Sequence, residues 1–226
     1  MQQHRDGQKA PTPLPFQTIG EEIGNSVLHG LGALLAVAGL VLLTLRANGH
    51  LGGRGGGALA VTTLVIFTAS MLILFLASTL YHGIQHRGAK RVFRILDHSA
   101  IYVLIAGTYT PFSLLGFRGA MGWTYFGAEW ALAAAGISLY AAGVRFIKRA
   151  ELAVYVIMGW AIVGGGFWLA RVIPRRSLIL LIAGGAAYTL GIFWYRRKNR
   201  PMTHVIWHVF VLAGAALHWW SVWFLS

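Results

Sequence analysis

Apolar residues run through this chain in seven long blocks, at about 24–45, 58–82, 97–116, 122–144, 151–171, 177–195 and 203–225. Each block approaches the ~20 residues that a helix needs to cross a bilayer's hydrocarbon core. The gaps between them are short and carry breakers or charge: RANGHLGGRGGG, GIQHRGAKRVFRI, RFIKR, RVIPRR and RRKNRP. None is long enough to hold a second domain. The pattern predicts an all-α membrane protein, a seven-transmembrane helix bundle over 21–226. Residues 1–20 precede it as a polar, Pro-containing tail that is expected to be disordered and cytoplasmic. That tail lacks the basic-then-apolar build of a cleaved signal peptide.

Composition agrees with the pattern. Hydrophobic residues make up 57% and charged residues 11% of the chain, where a soluble domain carries roughly 25% charged residues. Cysteine is absent, which excludes disulfides, thiolate metal sites and cysteine nucleophiles. A transition metal here would be held by imidazole, carboxylate or water.

A formal charge of +13 suits nucleic acid in the abstract, but its placement argues against that. Arg and Lys sit in short clusters between apolar blocks, where lipid head groups meet them, and no basic face of a soluble module is present. Thirteen Lys and Arg fall on the side of the N-terminus and six on the opposite side. By the positive-inside rule the N-terminus is cytoplasmic and the C-terminus outside, in a multi-pass protein of the cell membrane.

With that topology His82, Asp97, His204 and His208 all lie near the cytoplasmic leaflet. Ionisable groups at membrane depth are costly and tend to mark function. His204 and His208 are four residues apart and share a helical face. Ser78 stands one turn before His82, able to bond a ligand or a bound water. The bland alternative is that these groups only tie helix to helix.

Three imidazoles and a water make a catalytic-type zinc site with an open position. Zinc would bring the pKa of that water toward about 7. Asp97 would act as its general base, orient a ligand, or ligate directly and close a structural site; the spacing leaves these choices open.

Other polar residues carry smaller expectations. His29, a turn into the first block, is either a partner behind a ligand or a packing histidine. His98 is expected to face the interface, and His218 to lie too far along its helix to join. Glu129 would pair with a neighbouring helix or line a cavity. Lys90 and Arg94 are expected to anchor at lipid phosphates. Gly164, Gly165 and Gly166 would break the fifth block.

Several segments together resemble one family. Glu21-Glu22-Ile23-Gly24-Asn25-Ser26 with His29-Gly30 is similar to the opening motif of the hemolysin III family. Ser78-Thr79-Leu80-Tyr81-His82, Asp97-His98-Ser99-Ala100-Ile101-Tyr102 and Ala106-Gly107-Thr108-Tyr109-Thr110-Pro111-Phe112 resemble its central motifs. Pro201-Met202-Thr203-His204-Val205-Ile206-Trp207-His208 resembles its last.

The family is related to the progestin and adipoQ receptors, which include the adiponectin receptors. The resemblance implies seven helices, a cytoplasmic N-terminus and Zn²⁺ on His82, His204 and His208. It also implies that Asp97 holds the zinc-bound water and that Ser78 is its polar neighbour. Ceramidase-like hydrolysis among eukaryotic relatives implies a zinc-dependent hydrolase acting on a lipid amide or ester, with membrane lipids as partners. Hormone binding is not carried over, because the long N-terminal region of those relatives is absent. The alternatives are a non-enzymatic sensor or regulator of membrane state, and a pore-forming haemolysin. No amphipathic polar stripe supports a pore.

Overall fold

The protein is described by a computed structural model over residues 17–53, 56–197 and 200–226. Most of the expected tail, residues 1–16, lies outside the described residues. Among the described residues there is no strand, and the helices join into seven rods. These are α1 (Ile19–Ala47), α2 (Gly57–Gly83), and α3 (Arg87–Pro111) continued by a π-helical turn, Phe112–Phe117. Then come α4 (Gly119–Ala141) and a broken rod of α5 (Arg145–Trp160), a 3₁₀ turn (Ala161–Gly165) and α6 (Gly166–Val172). α7 (Arg175–Tyr195) and α8 (Thr203–Leu225) complete the bundle.

Six of the seven rods are long and apolar enough to cross a membrane. The other, α4, has 23 residues but carries Glu129 together with Trp123, Tyr125 and Trp130, which lower its hydropathy. Large apolar side chains face outward along the rods, including Leu34, Val41, Phe146, Phe167 and Leu190. A soluble protein would bury such faces; here they meet lipid. α3 is the innermost rod, with 78% of its apolar window buried against 22–50% for the other five.

Two rods begin earlier than their apolar blocks suggest. α1 starts at Ile19 rather than near 24, because Thr18 and Glu21 form a reciprocal capping box. α3 starts at Arg87 rather than near 97, its first turn capped by His86 Nδ1, which accepts from the amide of Ala89 at 3.3 Å. The sequence alone reads Arg87–Leu96 as loop because the stretch is basic; the structure makes it helix, with Lys90 turned inward onto Glu22. The glycine break in the fifth block is observed as the 3₁₀ turn, where a Cβ on Gly165 would lie 2.6 Å from the Phe117 ring.

α1 packs against α2 and α8, α2 against α3, and α7 against α8. The α7–α8 seam is close because small residues sit under large ones: Gly191 lies beneath Phe210 and Trp207, and Gly214 beneath Tyr188. A Cβ at Gly191 would come within 2.8 Å of both neighbours. Gly191→Val should therefore destabilise the protein by about 1–3 kcal/mol, seen as a lower melting temperature in detergent. Gly127→Ala, where a Cβ meets nothing within 4 Å, should leave that temperature unchanged.

Candidate metal centre

The end of one helix and the start of another supply the centre. His82 closes α2, and His204 and His208 occupy the first two turns of α8. One nitrogen from each of these three residues lies within 4.8 Å of the others. The His82 ring centroid is 5.3 Å from that of His204 and 5.0 Å from that of His208. His82 and His208 are almost fully buried. The group could hold a metal ion, and among the described residues it contains no carboxylate.

Each of two ligand candidates has its rear nitrogen occupied. His82 Nδ1 stands 2.7 Å from Glu22 Oε2. A carboxylate only accepts, so the proton sits on Nδ1 and the lone pair on Nε2 points the other way. His208 Nδ1 lies 2.7 Å from His29 Nε2. The forward Nε2 atoms of His82 and His208 are both buried without a hydrogen-bond partner. Metal-ligating histidines have this arrangement, with the second ring nitrogen bonded to a carboxylate, carbonyl or other polar group. Three imidazoles without thiolate also match the donor preferences of zinc.

Glu22 is the residue that sequence reasoning missed. Its second oxygen, Oε1, accepts from Lys90 Nζ at 2.8 Å, so Lys90 is buried in an ion pair rather than anchored at lipid phosphates. A signal was present: Glu22 and His29 are seven residues apart, on one face of α1. Glu21 is equally committed. Its Oε2 accepts from the amide and hydroxyl of Thr18, each at 2.9 Å, and its Oε1 from the amide of Met202 at 2.7 Å. Met202 has φ 61°, a left-handed conformation uncommon for a branched-free but bulky residue, and the Glu21 bond holds it at the start of α8.

The remaining sequence candidates divide. Asp97 is half-buried and lines a cavity of about 150 Å³ with His29, His204 and His208, but it stands outside the three-nitrogen group. Ser78 is fully buried, with its hydroxyl beside the Asp97 carboxylate. His98 does not face the lipid interface. It stacks on Tyr140 with centroids 5.1 Å apart and pairs with Glu151 Oε2 at 3.1 Å, because α4 and α5 cover that face of α3. Arg94 also turns inward, onto the cavity wall. His218 is buried far along α8, where Nε2 donates to the carbonyl of Leu181 at 3.0 Å. Glu129 is buried in α4 with Oε2 lacking a hydrogen-bond partner.

Comparison with known proteins matches residues 17–219 to the family model described as Haemolysin-III related. Hemolysin-3 of Bacillus cereus is 41% identical over 208 residues, covering 92% of this chain and 93% of the relative. A Hemolysin-3 homolog of Bacillus subtilis (strain 168) is 41% identical over 210 residues, 92% of this chain and 95% of the relative. The human Monocyte to macrophage differentiation factor is more distant, 28% identical over 164 residues, or 70% of this chain and 68% of its own length.

Glu22 fixes the tautomer of His82, so its loss should weaken divalent-cation binding by about 10–100-fold. Glu22→Ala should show this in competition against a chelator, and Glu22→Gln, which keeps an acceptor, should lose less. Equal affinity in all three proteins would mean that His82 needs no orienting partner.

Proposed function

The chain belongs to the Haemolysin-III related family and is a multi-pass membrane protein; from that premise and the geometry above, we propose a zinc-dependent hydrolase that cleaves an amide or ester bond of a membrane lipid at the cytoplasmic leaflet. The observation that carries the reading is the pair of buried, unpartnered Nε2 atoms on His82 and His208, converging with His204. An orphaned polar atom costs about 1–3 kcal/mol inside a protein, and a single cation would satisfy both.

When bound, zinc supplies a Lewis acid and lowers the pKa of water in its open position. The chain's own residues do the rest. His82, His204 and His208 would hold the ion and would leave one position open, as in catalytic rather than structural zinc sites. Glu22 and His29 hold His82 and His208 in the orientation that presents their Nε2 atoms. Asp97, on the cavity wall but outside the ligand group, takes the proton released as water attacks the carbonyl and delivers it to the leaving group. Ser78, buried one turn before His82, orients that exchange. The surrounding Tyr81, Tyr155, Tyr188 and Trp207 keep bulk water from the reacting bond.

The same reading has all seven rods spanning, with the N-terminus cytoplasmic. Its support is one of parity. His82 ends α2 and His204 opens α8, so four rods separate them. The two rings are 5.3 Å apart, which needs an even number of crossings in between. If α4 failed to cross, α8 would begin on the wrong side of the membrane. The excess of Lys and Arg on the N-terminal side then sets the direction.

Two measurements test the reading. His208→Ala should abolish both metal content by elemental analysis and lipid turnover; a metal-free variant that still hydrolyses would end the enzyme claim, and zinc-loaded protein that releases no product would leave a regulator of membrane state. The chain has no cysteine of its own, so single cysteines report topology cleanly. An impermeant maleimide should label Ser226→Cys in intact cells and His86→Cys only after lysis.

A further inference from the structure

Arg94 is placed where a basic residue beside a span would be expected to reach lipid phosphates. Instead it enters the cavity that also holds Asp97, His204, His208 and, at its rim, Arg200. Its Nε is buried and without a hydrogen-bond partner. The ion pairs among the described residues join His82 and Lys90 to Glu22 and His98 to Glu151; none includes Arg94 or Arg200.

Two carboxylates line the same cavity, Glu21 and Asp97. Glu21 has both oxygens bonded, to Thr18 and to the Met202 amide. That leaves one acid, Asp97, against two guanidinium groups, before any cation is counted in the histidine cluster. A guanidinium offers five N–H donors in a planar fork suited to phosphate or carboxylate. Away from the rim, the cavity shares Leu104, Tyr188 and Trp207 with a second, mainly apolar cavity of about 100 Å³. A charged entrance beside an apolar interior fits an amphiphile better than a free ion.

We propose that Arg94, assisted by Arg200, forms an anion site beside the histidine cluster, and that the ligand of this cavity is an amphiphile with a phosphate or carboxylate head group rather than an uncharged lipid. The assignment rests on the hydrolase reading only for what the neighbouring metal centre does to the bound molecule. As a specificity device it works by charge. The anion is held by the fork of Arg94, its attached chain lies toward Leu104 and Trp207, and the bond between them is brought alongside His204 and His208. A lipid without that anion leaves the buried Nε of Arg94 without an acceptor, which penalises its binding.

The test is binding by calorimetry to the whole protein in uncharged detergent, with metal content measured on every sample. The probes are oleoyl lysophosphatidic acid, monooleoylglycerol with the same chain, and inorganic phosphate. The phosphate-bearing lipid should bind about tenfold or more tightly than its uncharged counterpart, the scale of one charge-assisted hydrogen bond. Arg94→Gln should erase that preference with metal content unchanged, Arg94→Lys should keep part of it, and Arg200→Gln should lose less. Inorganic phosphate binding as tightly as the lipid, with the same dependence on Arg94, would uphold the anion site and make free phosphate its source. Equal affinity for charged and uncharged lipid, or a preference indifferent to both arginines, would overturn the proposal. Should Arg94→Gln fail to fold, Arg94→Lys and Arg200→Gln decide the matter. Preference retained in metal-free His208→Ala would uphold the anion site whether or not the zinc reading survives.

Discussion

The 2.7 Å contact between His82 and Glu22 is largely shielded from solvent, and the arrangement of the histidine-bearing half of the bundle follows from it. A buried ion pair is tolerable only when every member is bonded; removing one partner from such a set costs about 3–5 kcal/mol. Glu22 meets that condition by using one oxygen on His82 in α2 and the other on Lys90 in α3. Its neighbour Glu21, about 100° around the helix, reaches the opposite way to the Met202 amide at the start of α8. Two adjacent acids in the first turn of α1 thus fasten that helix to the three others that carry the histidines and Asp97. The convergence of His82 with His204 and His208 is a result of this bracing, since α2 and α8 each pack on α1.

Lateral packing elsewhere sets the depth at which the braced residues lie. Lipid is as apolar as leucine, so rods associate through close approach and interhelical hydrogen bonds rather than through hydrophobic burial. The α7–α8 seam uses both. Gly191 and Gly214 admit Trp207 and Tyr188, and Ser177 and Ser221 exchange hydrogen bonds at 2.6–2.8 Å with each other's carbonyls near the far end. With α8 held along its length, His204 and His208 cannot turn toward lipid. The break at Ala161–Gly165 serves the interior differently. The Tyr109 hydroxyl accepts from the freed amide of Ile162 at 2.6 Å and donates to the carbonyl of Gly159 at 3.2 Å. Side-chain bonding of this kind is what lets a helix stop and restart inside a membrane.

Much of this architecture is legible in the sequence because the membrane imposes a simple code. Apolar runs of spanning length locate the rods, and the triple glycine locates the break in the fifth. What escapes is whatever depends on a partner far along the chain. Arg87–Leu96 reads as loop by charge, yet it is helix, since Lys90 finds Glu22 and His86 caps the first turn. The three metal-candidate histidines are visible from type, depth and spacing. Glu22 shows only its shared face with His29, because its partner is 60 positions away and acids at a helix start have an ordinary explanation in the macrodipole. His98 and Arg94 are misplaced because His98, offset about 100° from Asp97, and Arg94, basic at a membrane edge, are both read as facing lipid, whereas α3 is the innermost rod and these two side chains turn to Glu151 and the cavity. For α4 the hydropathy signal itself is weak, and the pairing of His82 with His204 argues for its crossing better than its composition does.

The division of labour among the acids bears on the proposed chemistry. A carboxylate with both oxygens engaged in structural bonds is a poor proton acceptor, because protonation would break a bond that holds helices together. Glu21 and Glu22 are both in that condition, and Glu151 is joined to His98. Asp97 lines the cavity beside the histidines yet enters no ion pair among the described residues. Of the acids near the centre it is the one whose protonation would break no ion pair among the described residues. That requirement applies to any general base, and it is why the proposed hydrolysis is given Asp97 rather than one of the braced acids.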